Sequence, residues 1–305
     1  IQTALNALGK NSGNVLLLIN KTDIIPTSEK TLCSIPTDKD ITSLTIGTTM
    51  VSGVTVGQYG SYYIYANGIP LVIDSGVTLK NAMIFGGGDQ DFTANTSITV
   101  NVGASVGTIY GGGHDHSVNG DVSITVYGKA TTIFGGGYAH ANSNDDAKVA
   151  TANVTGNNIT ITVSGEGSEV YSLHGGGHAY VNSSKEAEQT LQANVIANIT
   201  IDLNCKLKSS AKIYGGGNSD VVMSTKQNMS TRKLNADVKG NIKITVGGDT
   251  QSASSFGSDF PYFYGGGYAN TGINADNKIT PDVLVSANVD GNTEINASQD
   301  DHATS

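Results

Sequence analysis

A six-residue unit recurs through this chain and constrains its fold more than any other feature. It reads Ile84-Phe85-Gly86-Gly87-Gly88-Asp89, Ile109-Tyr110-Gly111-Gly112-Gly113-His114 and Ile133-Phe134-Gly135-Gly136-Gly137-Tyr138. Three further copies run from Leu173 and His174 to His178, from Ile213 and Tyr214 to Asn218, and from Phe263 and Tyr264 to Tyr268. The first glycines are 25, 24, 40, 40 and 50 residues apart. A fixed unit returning at such intervals, some enlarged by insertions, is the mark of a solenoid, in which each repeat stacks on its neighbours.

Composition agrees with a strand-built solenoid. Only 14% of the 305 residues are charged, there are 39 glycines, and Thr, Asn, Ser and Val abound. β-Branched residues favour strands, while Gly and Asn favour the turns between them. A formal net charge of −9 and a single arginine, Arg232, argue against a phosphate-tracking surface, so nucleic acid is excluded as a partner. The longest apolar run, Val15 to Ile19, is far too short for a transmembrane segment and reads as a buried strand. Two cysteines, Cys33 and Cys205, fall in distant coils and are expected to be free, buried thiols.

The chain opens with Ile1, Leu5 and Leu8 on one helical face and a Gly9 stop, a short amphipathic helix suited to cover the open end of a strand solenoid. Irregular first coils follow to residue 83, with strands expected at 40–46, 54–56, 62–65, 71–73 and 77–79. From 84 to 297 the triplet repeats take over. The shortest runs from Gly111 to Phe134, with three short strands and a turn at Gly128. The longer repeats share a frame, Ala152-Asn153-Val154, Ala193-Asn194-Val195, Ala236-Asp237-Val238 and Ala287-Asn288-Val289, each followed by an alternating strand. Their extra residues enter at one place, between the triplet and this frame: about 142–151, 181–192, 218–235 and 270–286. Insertions at equivalent points fall on one side of a solenoid. Loops or hairpin arms both fit their sequences. The whole chain is one domain, with a polar tail at 298–305. A coil begun at Asn288 is not completed, so more repeats or another domain are expected to follow.

A capping helix ahead of coils of about two dozen residues resembles the right-handed, single-stranded parallel β-helix of the pectate-lyase-like superfamily, over nearly the whole chain. The triplet repeats also resemble those of large bacterial cell-surface proteins of the adhesin type. The resemblance implies an all-β solenoid with an N-terminal capping helix and side insertions. It further implies a secreted or surface-displayed protein whose partner is a host or matrix glycan or a surface protein. Coils stacked at the strand spacing of about 4.8 Å would place six triplets along roughly 24 Å of axis.

Side chains alternate across a strand. With Ile84, Ile109, Ile133, Leu173, Ile213 and Phe263 pointing inward as a core stack, the rings of Phe85, Tyr110, Phe134, His174, Tyr214 and Tyr264 point outward. Beyond a glycine lane follow Asp89, His114, Tyr138, His178, Asn218 and Tyr268, then Asp91, His116, His140, Tyr180, Asp220 and Asn270. Two readings stand side by side. Aligned rings stack on one another while the glycines permit sharp turning or close approach. Alternatively, a bare glycine lane between aromatic and polar lanes forms a groove for an extended glycan. Its contacts would be Tyr110, His114, His116, Tyr138, His140, His174, His178, Tyr180, Tyr214, Tyr264 and Tyr268.

Signals for chemistry are weaker. Asp89, Asp91, His114 and His116 lie on neighbouring coils and form a weak candidate metal set without strict ligand spacing. No cofactor is expected. Enzymes of the resembled fold use an arginine base with calcium-binding aspartates, or sets of aspartates. Here Arg232 and the pair Asp145-Asp146 both fall in insertions, and no catalytic residue is assigned. A polysaccharide lyase or glycoside hydrolase acting in the same lane is the alternative to a non-enzymatic adhesin or stalk. Eight Asn-X-Ser/Thr sequons occur, which in so Asn- and Thr-rich a chain read as turn and strand residues.

Overall fold

The computed structural model describes residues 1–10, 12–20, 31–57, 61–142, 148–182, 188–205, 207, 210–222, 232–247, 261–270 and 283–297. Apart from a helix at Gln2–Asn6 its regular elements are strands, and every strand pairing is parallel. Two long body sheets share one core. Body sheet 1 stacks, among others, Ile41–Gly47, Leu71–Ile73, Thr96–Val100, Val122–Val126, Val154–Ser164 and Val195–Asn204. Body sheet 2 stacks Tyr62–Tyr65, Val77–Phe85, Ser105–Tyr110, Lys129–Phe134, Glu169–His174, Lys212–Tyr214 and Tyr262–Tyr264. The chain visits the two sheets alternately, so each circuit adds one rung to each, an arrangement compatible with a β-helix-like solenoid.

The expected core column is realised in register. Ile84 pairs with Ile109, Ile109 with Ile133, Ile133 with Leu173, Leu173 with Ile213 and Ile213 with Phe263. The first five are fully buried and Phe263 is partly so. The frame valines form a second column, Val118, Val154, Val195, Val238 and Val289. Leu5 of the short helix inserts into the same core, and Gln2 holds the Ser34 backbone through both ends of its amide. Cys33 and Cys205 are free and buried, and burial pushes both thiols up to about 12. The first apolar run departs from expectation. In Gly13–Leu18, Val15 and Leu17 pack on the core while Leu16 and Leu18 are exposed, because this strand has one face of its sheet against solvent.

The insertions are neither loops nor hairpins in their described parts. Tyr138–Asn142, His178–Asn182, Asn218–Val222 and Tyr268–Asn270 form one parallel ladder. Lys148–Thr151, Gln189–Gln192, Arg232–Asn235 and Val283–Ser286 form another. The outgoing and returning strands of one insertion therefore pair with their counterparts on the next coil, not with each other. Between the two ladders lies a separate apolar core of Ala139, Ala141, Ala150, Ala152, Ala179, Val181, Leu191, Ala193, Val221, Leu234 and Ala236. Its small residues let the two ladders close tightly into an arm along one flank of the body.

Asparagine ladders seal the corner where the arm returns. The Asn194 amide donates to Asn153 Oδ1 at 2.8 Å, Asp237 to Asn194 Oδ1 at 2.9 Å and Asn288 to Asp237 Oδ1 at 2.7 Å. A second ladder links Asn198, Asn241 and Asn292. The sequon asparagines Asn95, Asn153 and Asn198 each accept a backbone amide of the next coil through the side-chain Oδ1. The sequon at Asn228, the Asp145-Asp146 pair and the tail at 298–305 lie outside the described residues.

The triplets are glycine because of space. None has a left-handed φ. A Cβ on Gly112 would stand 2.7 Å from Gly137 N and 2.7 Å from a Val154 methyl; on Gly176, 2.7 Å from Gly217 N. At Gly111, Gly135 and Gly175 it would run into the carbonyl oxygen of the next coil's first triplet glycine. Backbone meets backbone between coils, and any side chain forces them apart. Gly112→Ala is therefore expected to destabilise the fold by about 1–3 kcal/mol. Gly266→Ala, where nothing lies within 4 Å, is expected to be near neutral. Thermal or denaturant unfolding of the two variants measures the difference.

Candidate functional site

Body sheet 2 turns at the triplet into the inner arm ladder, and the two outer faces meet in a groove. The body wall carries the column Tyr65, Phe85, Tyr110, Phe134, His174, Tyr214 and Tyr264, in register from coil to coil. Its rings form one continuous stack. Centroids are 5.0 Å apart from Phe85 to Tyr110 and from Tyr110 to Phe134, 4.7 Å to His174, and 4.6 Å for each of the next two steps. Interplanar angles along these five steps run from 5° to 12°. The coil spacing itself sets ring separation at a stacking distance.

The arm wall supplies a second column, His114, Tyr138, His178, Asn218 and Tyr268. Its rings lie on the body rings of the preceding coil: His114 on Phe85 at 5.0 Å, Tyr138 on Tyr110 at 4.9 Å, His178 on Phe134 at 4.7 Å. The groove floor is thus filled by its own rings. Of the two readings of the sequence, stacking of aligned rings is the one seen, and the glycine lane of the other is covered. Tyr110, Tyr138, His140, His174 and Tyr214 are all at most 7% exposed, and the triplet glycines on coils up to Gly217 are buried beneath them. Side-chain alternation places these rings outside the core, but the arm closes over them, and no sequence rule showed that. His114, His178 and Tyr180 are partly buried, whereas Tyr264 and Tyr268 on the last described coil are about 40% exposed.

Towards the mouth the walls become polar. On the body side Tyr63, Met83, Thr108, Thr132, Ser172 and Lys212 share the outer face. On the arm side stand His140, Tyr180, Asp220 and Asn270. Burial raises the Asp220 carboxyl above the usual range, opposed by a hydrogen bond from Asn270 Nδ2 at 3.0 Å. Tyr63, Thr108, Thr132 and Ser172 were not singled out in the sequence. The alternation that marked Tyr110 marks them equally, two residues earlier.

Asp115 begins the arm. Its φ of +59° turns the chain, its Oδ1 accepts the His140 amide at 2.7 Å, and its Oδ2 takes Lys148 Nζ at 2.8 Å. One carboxylate thereby caps the first strand of the inner ladder and ties the outer ladder to it.

The proposed metal set is not assembled. Asp91 Oδ1 accepts the Ser117 amide at 2.6 Å and lies 3.5 Å from His116 Nδ1, Asp89 is exposed, and His114 Nε2 is 4.0 Å from Asp115 Oδ2. Among the described residues no group of three His, Cys, Asp or Glu side chains could hold a metal ion. Arg232, placed by the sequence in an insertion, is 1% exposed and begins the strand Arg232–Asn235 of the outer arm ladder. Two shallow depressions lie elsewhere. One of about 290 Å³ is lined by Val102, Tyr127, Lys129 and Glu166, and one of about 420 Å³ by Asp91, Phe92, Ser117 and Asn119.

No family model matches this chain, and neither does any curated protein or solved structure. Its class therefore rests on the fold alone: an all-β protein of stacked parallel sheets carrying a lateral arm. No helix among the described residues is long and apolar enough to cross a membrane.

The groove histidines are held neutral. Burial takes His114 down to about 4, with Asp115 opposing, and takes His174 and His178 down to about 3. In the unfolded chain each would titrate near 6.5. Between those values the unfolded state binds protons that the folded state does not, so stability is full above about pH 6.5 and falls as pH drops towards 4. Each histidine contributes a slope of up to ~1.4 kcal/mol per pH unit in that window. Denaturant unfolding from pH 7 to pH 5 is expected to show this loss. His174→Phe, which restores the ring found on other coils, is expected to reduce the slope by about a third. An unchanged slope would show that His174 does not titrate on unfolding.

Proposed function

We propose that this chain is a non-enzymatic stalk displayed outside the cell, built as a single right-handed parallel β-helix of the pectate-lyase-like kind, and that it contacts extended glycans along the groove mouth. The observation that carries the reading is the continuous ring stack sealed between body and arm. Residues that would line an open substrate groove are used instead to lock each coil to the next and the arm to the body. Stiffness along the axis is what a stalk requires. Contact with a sugar chain then falls to the mouth, where Tyr63 and Tyr180 offer ring surface beside the hydroxyls of Thr108, Thr132 and Ser172.

One observation favours a glycoside hydrolase: Asp220 is a half-buried carboxyl with raised proton affinity, as a general acid needs. Such an enzyme needs a second carboxyl across a gap of about 5–10 Å. The neighbours of Asp220 in its own column are Tyr180 and Asn270, which supply none.

Glycan-array binding and a reducing-end assay on the same preparation separate these readings. The expected result is binding to at least one extended polysaccharide, weakened about tenfold by Tyr180→Ala, a loss of ~1.4 kcal/mol, without release of sugar ends. Release of ends that Asp220→Asn abolishes would replace the stalk with a hydrolase. Absence of binding across the array would remove the glycan contact.

A further inference from the structure

The depression lined by Val102, Tyr127, Lys129 and Glu166 lies at the corner where body sheet 1 hands the chain on to body sheet 2, and unequal turn lengths create it. Val100, Val126 and Val163 pair in register before this corner, and Ser105, Lys129 and Glu169 pair in register after it. The three coils therefore cross the same gap, through 101–104, 127–128 and 164–168, which are four residues, two and five. The middle turn takes the short path, and the turns on either side bulge past it. Tyr127-Gly128 becomes a floor. Val102-Gly103 and Glu166-Gly167 become walls two coil spacings, about 9.6 Å, apart.

Backbone packing keeps this slot open. A Cβ on Gly128 would run into the carbonyl oxygens of Ala104 and Asn101, so the middle turn sits tight against its neighbour. Gly165 and Gly167 have φ of +105° and +86° with nothing within 4 Å of a Cβ, so the five-residue turn stands clear of other atoms. Tyr127 is 40% exposed and Val102 61% exposed, which leaves apolar surface facing solvent in the slot. Lys129 is already paired, its Nζ 3.1 Å from Glu169 Oε1. Glu166, which is exposed, has no cationic partner among the described residues. An aromatic ring, an aliphatic wall and one uncompensated carboxylate thus line the same small space.

We infer that this slot binds a primary ammonium group on an aliphatic stem, the chemistry of a lysine side chain. Its volume of about 290 Å³ stands at the lower end of ligand sites, which begin near about 300 Å³, and so suits one side chain better than a sugar chain. The stem has Tyr127 and Val102 to pack against, as long cationic side chains lay their methylenes on apolar surface. The ammonium has the Glu166 carboxylate, and a cation beside an aromatic ring gains further attraction. An anion would meet Glu166 and Glu169. A neutral sugar would find few polar groups free, since Lys129 is engaged. The formal net charge of −9 favours the approach of a cation. The site shares no residue with the groove mouth and stands apart from any glycan contact there. Two sources carry this group: a lysine on a partner protein, and a free alkyl diamine.

The test is an amide chemical-shift titration of the whole chain at low salt with three probes: Nα-acetyl-lysine methylamide, diaminopentane and the neutral Nα-acetyl-norleucine methylamide. The amides of Val102, Gly103, Tyr127, Gly128, Glu166 and Gly167 are expected to move with an amine and not with norleucine, and added salt is expected to weaken the effect. Saturation by the lysine derivative assigns the slot to a protein partner; saturation by the diamine alone assigns it to a free amine. Tyr127→Ala and Glu166→Gln change exposed side chains, so the melting transition should persist. Each is expected to weaken binding about threefold. Should either variant lose its melting transition, the other decides. Unmoved amides with both amines, equal shifts with norleucine, or unaltered affinity in the folded variants would overturn the proposal.

Discussion

Backbone-to-backbone contact at the glycine triplets is the constraint on which the rest of this structure depends. Where Gly112 passes Gly137 and Gly176 passes Gly217, an added Cβ would stand 2.7 Å from the neighbouring amide nitrogen. The coils can therefore close to strand spacing at the very point where the chain leaves the body. That spacing brings the flanking rings to between 4.6 and 5.0 Å of one another from Phe85 to Tyr264. A triplet without its close approach would separate the rings, and rings without the triplet would have no common spacing to adopt. The two features are one device, repeated on each coil.

The arm follows from the same device. A strand leaving the body at the third glycine presents its next ring, such as Tyr138 or His178, back towards the body column. Its alternate residues, Ala139 and Ala141 or Ala179 and Val181, face the second core. Each arm strand thus has one face on the groove and one in its own small core, an amphipathic pattern of period two. Asp115 closes the first rung with an amide on one oxygen and a lysine on the other, so the arm starts without a bare strand edge at His140. The histidines within the groove are compatible with burial because hydroxyls such as Tyr65, 2.7 Å from His114 Nδ1, take one nitrogen of each ring.

Much of the body was legible from residues alone. The column from Ile84 to Phe263 could be written down by aligning six copies of one motif, and strands such as Tyr62–Tyr65 and Leu71–Ile73 lie where alternation and turn residues put them. The common site of insertion was equally plain. The form of the insertions was not. Segments such as Lys148–Thr151 are short and have no partner within their own repeat, and the signal for their pairing is the resemblance between copies 40 residues or more apart. The candidate site suffered most. Tyr110, His174 and Tyr214 point away from the core as expected, yet they are buried, since pointing outward from one core does not mean facing water when a second unit covers the surface.

What the sequence by itself determined is the periodicity: one glycine triplet, one core aliphatic and one ring per coil, hence parallel stacking and the register of every body column. These are local and repeated, so the physics of a single strand, summed over copies, suffices to read them. What only the tertiary structure decided is which outward columns meet. The closure of the arm over the body depends on the direction in which the chain leaves each triplet and on the fit of two small-residue ladders. Both are properties of coils packed together, and no single repeat carries them.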